Sequence, residues 1–158
     1  MTTDESLAKL PTTLSSLQTI EALIFSYAEL VDAGDFAAVG ALFADATFLG
    51  SGATHKGKVA VEKMLVDAVA TYDDRTPRTK HVVTNLVITV DERAGTAEAR
   101  SCVTVLQALP TFPLQTILSG RYFDRFERRG ERWRFTERRL KFDLVGDVSH
   151  HMLSNLPS

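Results

Sequence analysis

The feature that most limits what this chain can become lies in its second half. Residues 79 to 91, 96 to 109, 115 to 128 and 131 to 143 form long β-branched or aromatic segments. Ala94-Gly95, Pro110 to Pro113 and Arg129-Gly130 divide them, and separators of this kind suit hairpins. Strands of roughly twelve residues, against a usual five or six, must curl or carry bulges. The first half reads differently. Ile20, Leu23, Ile24, Tyr27, Leu30 and Val31 recur at helical spacing, with Thr19 as the expected cap and Gly34 as the expected stop. Asp35 is placed to cap a short second helix through Phe36, Val39, Leu42 and Phe43, and residues 45 to 49 then turn extended until Gly50-Ser51-Gly52. Residues 59 to 70 return to helical spacing, and the run from Tyr72 to Pro77 is a loop. Helices first and antiparallel strands after predict an α+β fold, with N-terminal helices packed on a strongly curved, mostly antiparallel sheet. Curling turns that sheet into a cone with a deep mouth.

The chain of 158 residues, 44% of them hydrophobic, fits one domain with a core of ordinary size. Residues 1 to 15 read as a flexible polar arm, 16 to 146 as the single domain and 147 to 158 as a C-terminal tail. A formal charge of -2 gives no electrostatic reason to expect nucleic acid or an anionic membrane as partner. The arginines between Arg121 and Arg139 are interleaved with Asp124, Glu127, Glu131 and Glu137, a pattern of mixed-charge strand faces. The single Cys102 excludes an internal disulfide framework, no secretory signal opens the chain, and no apolar run approaches the roughly 20 residues of a membrane span. The expectation is a soluble, cytoplasmic protein.

Two residues raise the question of chemistry. Asp32 stands in the last turn of its helix, where the helix dipole makes a carboxylate unfavourable by about 0.3 to 1 kcal/mol. It either begins the Asp-Ala-Gly-Asp turn and satisfies loop amides, or it serves a cationic partner. His81 opens a strand, with simple alternation placing His81, Val83, Asn85 and Val87 on one face. A lone strand histidine is commonly structural, whereas an imidazole meeting a carboxylate in an apolar pocket makes a general base. Tyr27, five residues before Asp32, is about 140° away around the helix and reaches the same pocket only over the helix end. It is a core ring or a phenol able to polarise a carbonyl.

The segments Tyr27 to Asp35, Leu42 to Ala46, Lys80 to Asn85, Gly120 to Asp124 and Trp133 to Arg138 resemble, in order and spacing, the SnoaL-like branch of the nuclear transport factor 2-like superfamily. Within it the chain is most similar to the group of scytalone dehydratase, bile-acid 7α-dehydratase and hexachlorocyclohexane dehydrochlorinase. The resemblance implies a cone-shaped α+β barrel and a cofactor-free eliminating enzyme. It implies that His81 removes a proton, that Asp32 orients and stabilises its imidazole, and that Tyr27 assists at the carbonyl or leaving group. It further implies that Arg138, five residues after Trp133, lines the pocket as a substrate-binding residue; regular strand alternation would turn its neighbour Arg139 the other way. The second histidine or further acid of some dehydratases is absent from the central strands, where Ser101, Val103 and Thr104 stand.

The expected activity is therefore a cofactor-independent, dehydratase-like lyase acting on a hydrophobic cyclic carbonyl compound. An isomerase or cyclase would share the proton-abstraction step, and a non-catalytic small-molecule-binding module would need only the apolar pocket. No cofactor or metal is expected: His150-His151 reads as an exposed pair in the tail, Cys102 has no paired base, and Gly50-Ser51-Gly52 lacks the lysine and spacing of a phosphate loop. An apolar convex sheet face would favour a homodimer or higher homo-oligomer.

Overall fold

The structure, a computed structural model, describes residues 14 to 50 and 52 to 154. Most of the expected arm therefore lies outside the described residues, but its last residue does not belong to an arm. Ser15 caps α1 (Ser16–Asp32) in a reciprocal pair with Gln18, the Gln18 backbone N–H donating to the serine hydroxyl and the Gln18 amide accepting from the Ser15 N–H. Thr19, the expected cap, instead donates its hydroxyl to the Ser15 carbonyl. The helix buries Ile20, Ile24, Tyr27, Ala28 and Val31. Each large apolar side chain sealed in this way contributes roughly 1.5 to 3 kcal/mol. Phe25, which shares a stripe with Ala28 and Asp32 at i, i+3 and i+7, is 40% exposed, whereas Ala28 is buried.

Asp35 caps α2 (Phe36–Leu42) through the Ala38 N–H, as its position foretold. The chain then forms β1 (Thr47–Gly50) and β2 (Ala53–Lys56), a short antiparallel hairpin, followed by α3 (Gly57–Ala68). β2 escaped the sequence reading because it is a polar four-residue edge strand with no alternation to detect. The long strands are β3 (Thr79–Asp91), β4 (Thr96–Leu109), β5 (Phe112–Arg129) and β6 (Arg132–Val145). β5 starts three residues before its expected place because the Pro113 segment pairs with Leu109 through Phe112.

The strands run in the order β2-β1-β6-β5-β4-β3, antiparallel except where β1 lies parallel to β6. The sheet curls around the helices without closing and leaves β2 and β3 as its edges. Bulges set which side chains look inward. In β3 the register breaks between Thr84 and Val87, with Asn85 at φ 53, so inward residues change from His81 and Val83 to Leu86, Ile88 and Val90. The plain alternation expected through Asn85 and Val87 does not survive that bulge. In β6 a second break leaves Thr136 unpaired, so Trp133 and Phe135 point inward and Arg138, Leu140 and Phe142 do so as well. Without it the five-residue spacing from Trp133 to Arg138 would put them on opposite faces.

Candidate functional site

The helix end and the strand edge explain how Asp32 meets His81. Gly34 ends α1 at φ +71, and a Cβ there would come within 2.1 Å of the Arg75 carbonyl oxygen. The loop before β3 therefore presses directly against the end of α1. β3 is an edge strand, so half its backbone donors have no neighbouring strand to satisfy. The His81 N–H donates to Asp32 Oδ2 at 2.8 Å, and the Thr79 hydroxyl donates to Oδ1 at 2.8 Å. His81 Nδ1 lies 2.6 Å from Oδ1. The carboxylate thus grips the histidine by main chain and ring together, which answers its misplacement at the negative end of a helix.

The protonation states follow from this geometry. Burial pushes the Asp32 carboxyl up, but the hydrogen bonds and charge of His81, with help from Thr79, outweigh it and hold Asp32 below its ordinary value. An ionised carboxylate can only accept, so Nδ1 carries a proton, and whenever the ring is neutral its lone pair is on Nε2. His81, not Asp32, lines a cavity of about 380 Å³. The aspartate stands behind the imidazole, with 11% of its side chain exposed against 8% for the histidine. An imidazole held in this tautomer on the wall of a largely apolar cavity can take a proton from whatever its Nε2 reaches there.

Tyr27 and Tyr122 also line that cavity, with ring centroids 5.8 Å apart and nearly perpendicular. Beneath them lies Arg138, wholly buried and joined to Asp124 by two hydrogen bonds of 2.7 and 2.8 Å. Its guanidinium carbon sits 4.0 Å from the Tyr122 ring centre and 4.3 Å from that of Tyr27. Arg138 is therefore not a residue of the cavity wall, contrary to the expectation of direct substrate binding. The bulge turns it inward, and two tyrosine rings then cover it. Burial works against its charge, yet Asp124 outweighs burial and raises its pKa. Its Nη1 has no hydrogen-bond partner among the described residues. Arg139, by contrast, faces outward.

Burial pushes the Tyr27 phenol up, with Arg138 pulling the other way, and pushes Tyr122 well above its ordinary value. Both stay protonated near neutral pH, which leaves each an O–H to donate. Tyr122 was not singled out in the sequence because a tyrosine in an alternating strand carries no signal beyond core packing. His151 contradicts its reading as an exposed tail residue: it is 5% exposed and lines the cavity. Only His150 is exposed, its ring against Phe112 at 4.6 Å. The apolar spacing of Val148 and Met152 about His151 was the available sign that this segment docks.

The remaining wall is largely apolar, with Val103, Val105, Leu118, Leu140 and Phe142 from the sheet and Met64 and Leu65 from α3. Among the described residues no group of three or more His, Cys, Asp or Glu side chains gathers in a way that could hold a metal ion. No helix among them is long and apolar enough to cross a membrane.

Comparison with known families settles the ancestry. The SnoaL-like domain family matches residues 12 to 139. The chain belongs to that family. Solved structures agree on the nuclear transport factor 2-like cone. A Mycobacterium tuberculosis protein of unknown function is 25% identical over 84% of this chain and 74% of that one, with a TM-score of 0.68. An NTF2-like protein with a cystatin-like fold from Novosphingobium aromaticivorans is 24% identical, covers 80% of each chain and gives 0.67. A candidate scytalone dehydratase from the same organism is 24% identical over 83% of this chain and 86% of that one, with 0.65. No significant match was found among curated proteins.

Proposed function

We propose that this protein is a cofactor-independent lyase that eliminates water or a similar leaving group from a hydrophobic, cyclic, carbonyl-bearing small molecule. The observation that carries the reading is the 2.6 Å contact between His81 Nδ1 and Asp32, made by an imidazole that lines an apolar cavity. His81 Nε2 takes the acidic proton next to the carbonyl. Asp32 holds the tautomer and stabilises the imidazolium that forms. The Tyr27 phenol donates to the oxygen on which negative charge develops, and Arg138 beneath the ring favours that charge. Expulsion of the leaving group from the adjacent carbon completes the elimination, and the proton held on His81 is available to it. The candidate scytalone dehydratase among proteins of the same fold is in keeping with this chemistry.

The step common to elimination, isomerisation and cyclisation is proton abstraction, so that step is the one to test. Bicyclic β-hydroxy ketones incubated with the protein in deuterated water should acquire deuterium at the carbon next to the carbonyl and lose water. His81→Ala should abolish both, and Asp32→Asn should slow both by about 10³- to 10⁴-fold, because an amide facing Nδ1 favours the opposite tautomer. Equal rates for wild type and both folded variants would overturn the mechanism.

A further inference from the structure

Besides His81 the cavity wall carries His55 and His151, and the His81–Asp32 pair uses neither. His151 shares the wall with His81, their ring centroids 6.5 Å apart. Its Nδ1 is buried and has no hydrogen-bond partner among the described residues. An unpaired polar nitrogen in an apolar surround costs stability.

The segment is in fact firmly held. The Ala70 N–H donates to the His151 carbonyl at 2.8 Å, and the Leu153 N–H donates to the Ala68 carbonyl at 2.9 Å. Val69 and Met152 form a β-bridge between these two bonds. One residue earlier, the His150 carbonyl accepts from the Tyr72 hydroxyl at 2.5 Å and from Gln107 Nε2 at 3.0 Å. The main chain is fixed on both sides while the side-chain nitrogen is left unsatisfied. This clasp lies beyond residue 139, where the match to the family ends.

We propose that His151 contacts the substrate, its neutral imidazole hydrogen-bonding a hydroxyl or carbonyl on a hydrophobic ligand whose acidic carbon faces His81. A neutral imidazole offers one donor and one acceptor, which suits an uncharged oxygen substituent better than an ion. Burial, reinforced by the neighbouring His81, pushes His151 down to about 4, so the ring is neutral in the physiological range. The proposal rests on the reading of His81 as the base only for the orientation of the ligand. His151 then decides which substituted ring systems the cone accepts.

The test uses two bicyclic probes that differ by one hydroxyl, 2-naphthol and naphthalene, with binding followed by their own fluorescence. In His151→Leu the preference for 2-naphthol should fall about three- to tenfold, the effect of one neutral hydrogen bond. His151→Gln, which restores a donor and an acceptor, should recover part of it, and naphthalene affinity should change little. An unchanged preference in His151→Leu overturns the proposal, as does an equal loss for both probes. His81→Ala separates this idea from the proton-abstraction reading: it removes deuterium exchange but should leave the His151-dependent preference intact. Should His151→Leu fail to fold, the imidazole ¹⁵N shifts of wild-type His151 decide. Displacement by 2-naphthol and not by naphthalene supports the contact, and no displacement by either refutes it.

Discussion

Acid should weaken this protein through His151, and the size of the effect can be worked out. The folded-state pKa is about 4 where an ordinary histidine has 6.5, chiefly because burial disfavours the cation, with the charge of His81 adding to it and that of Asp32 opposing it. Below the unfolded value and above the folded one, the unfolded chain binds a proton that the folded chain refuses. Stability is therefore fully present above about pH 7 and is lost as pH falls toward about 4. At about 1.4 kcal/mol per pH unit the gap corresponds to about 3 kcal/mol. Other ionisable groups stand near His151, with His55, Asp67 and His81 on the cavity wall and Asp32 behind His81. Comparison with His151→Leu isolates the contribution, since both proteins retain those groups. Urea unfolding at several pH values between about 7.5 and 4.5 should show the wild type losing about 2.5 kcal/mol more than the variant. Parallel losses would mean that His151 is solvated or protonated in the folded state and would refute its burial as a neutral ring.

Other perturbations probe the rest of the site. Arg138→Met should destabilise by about 3 to 5 kcal/mol by leaving Asp124 charged and unpaired in the core, and Asp124→Leu added to it should restore most of that loss in urea unfolding. A single variant as stable as wild type would contradict the buried pair. Gly34→Ala should cost about 2 kcal/mol or more, from the positive φ and the clash with Arg75, and should loosen the contact of His81 with Asp32 seen in imidazole NMR shifts. Tyr27→Phe keeps the ring packed on Phe43 and Phe48 but removes the donor, so turnover should fall about ten- to hundredfold, chiefly in kcat. A change confined to KM would assign the hydroxyl to ground-state binding.

The positions of α2 and its Asp35 cap, the helical run of α1 and the long strands β3 to β6 were legible because each rests on local periodicity and turn chemistry. The pairing of Asp32 with His81 came from resemblance, not from spacing, since no local rule joins a helix end to a strand start across 49 residues. The contact exists because Gly34 brings the Arg75 loop against α1 and because β3 is an edge with donors to spare. Arg138 shows the opposite case. Its inward direction depends on the bulge at Thr136, and its distance from the cavity depends on two tyrosines closing over it. Neither a bulge nor a cover is written in alternation.

What the sequence by itself determined is the order of elements and their amphipathic faces, because those depend on neighbours along the chain. The tertiary structure alone decided which side chains share the cavity. His151 reaches His81 only because the last described turn bonds back to residues 68 to 72. A hydrogen-bonded return across the mouth of a curved sheet is a property of the assembled cone, and its partners are too far apart in the chain to announce it.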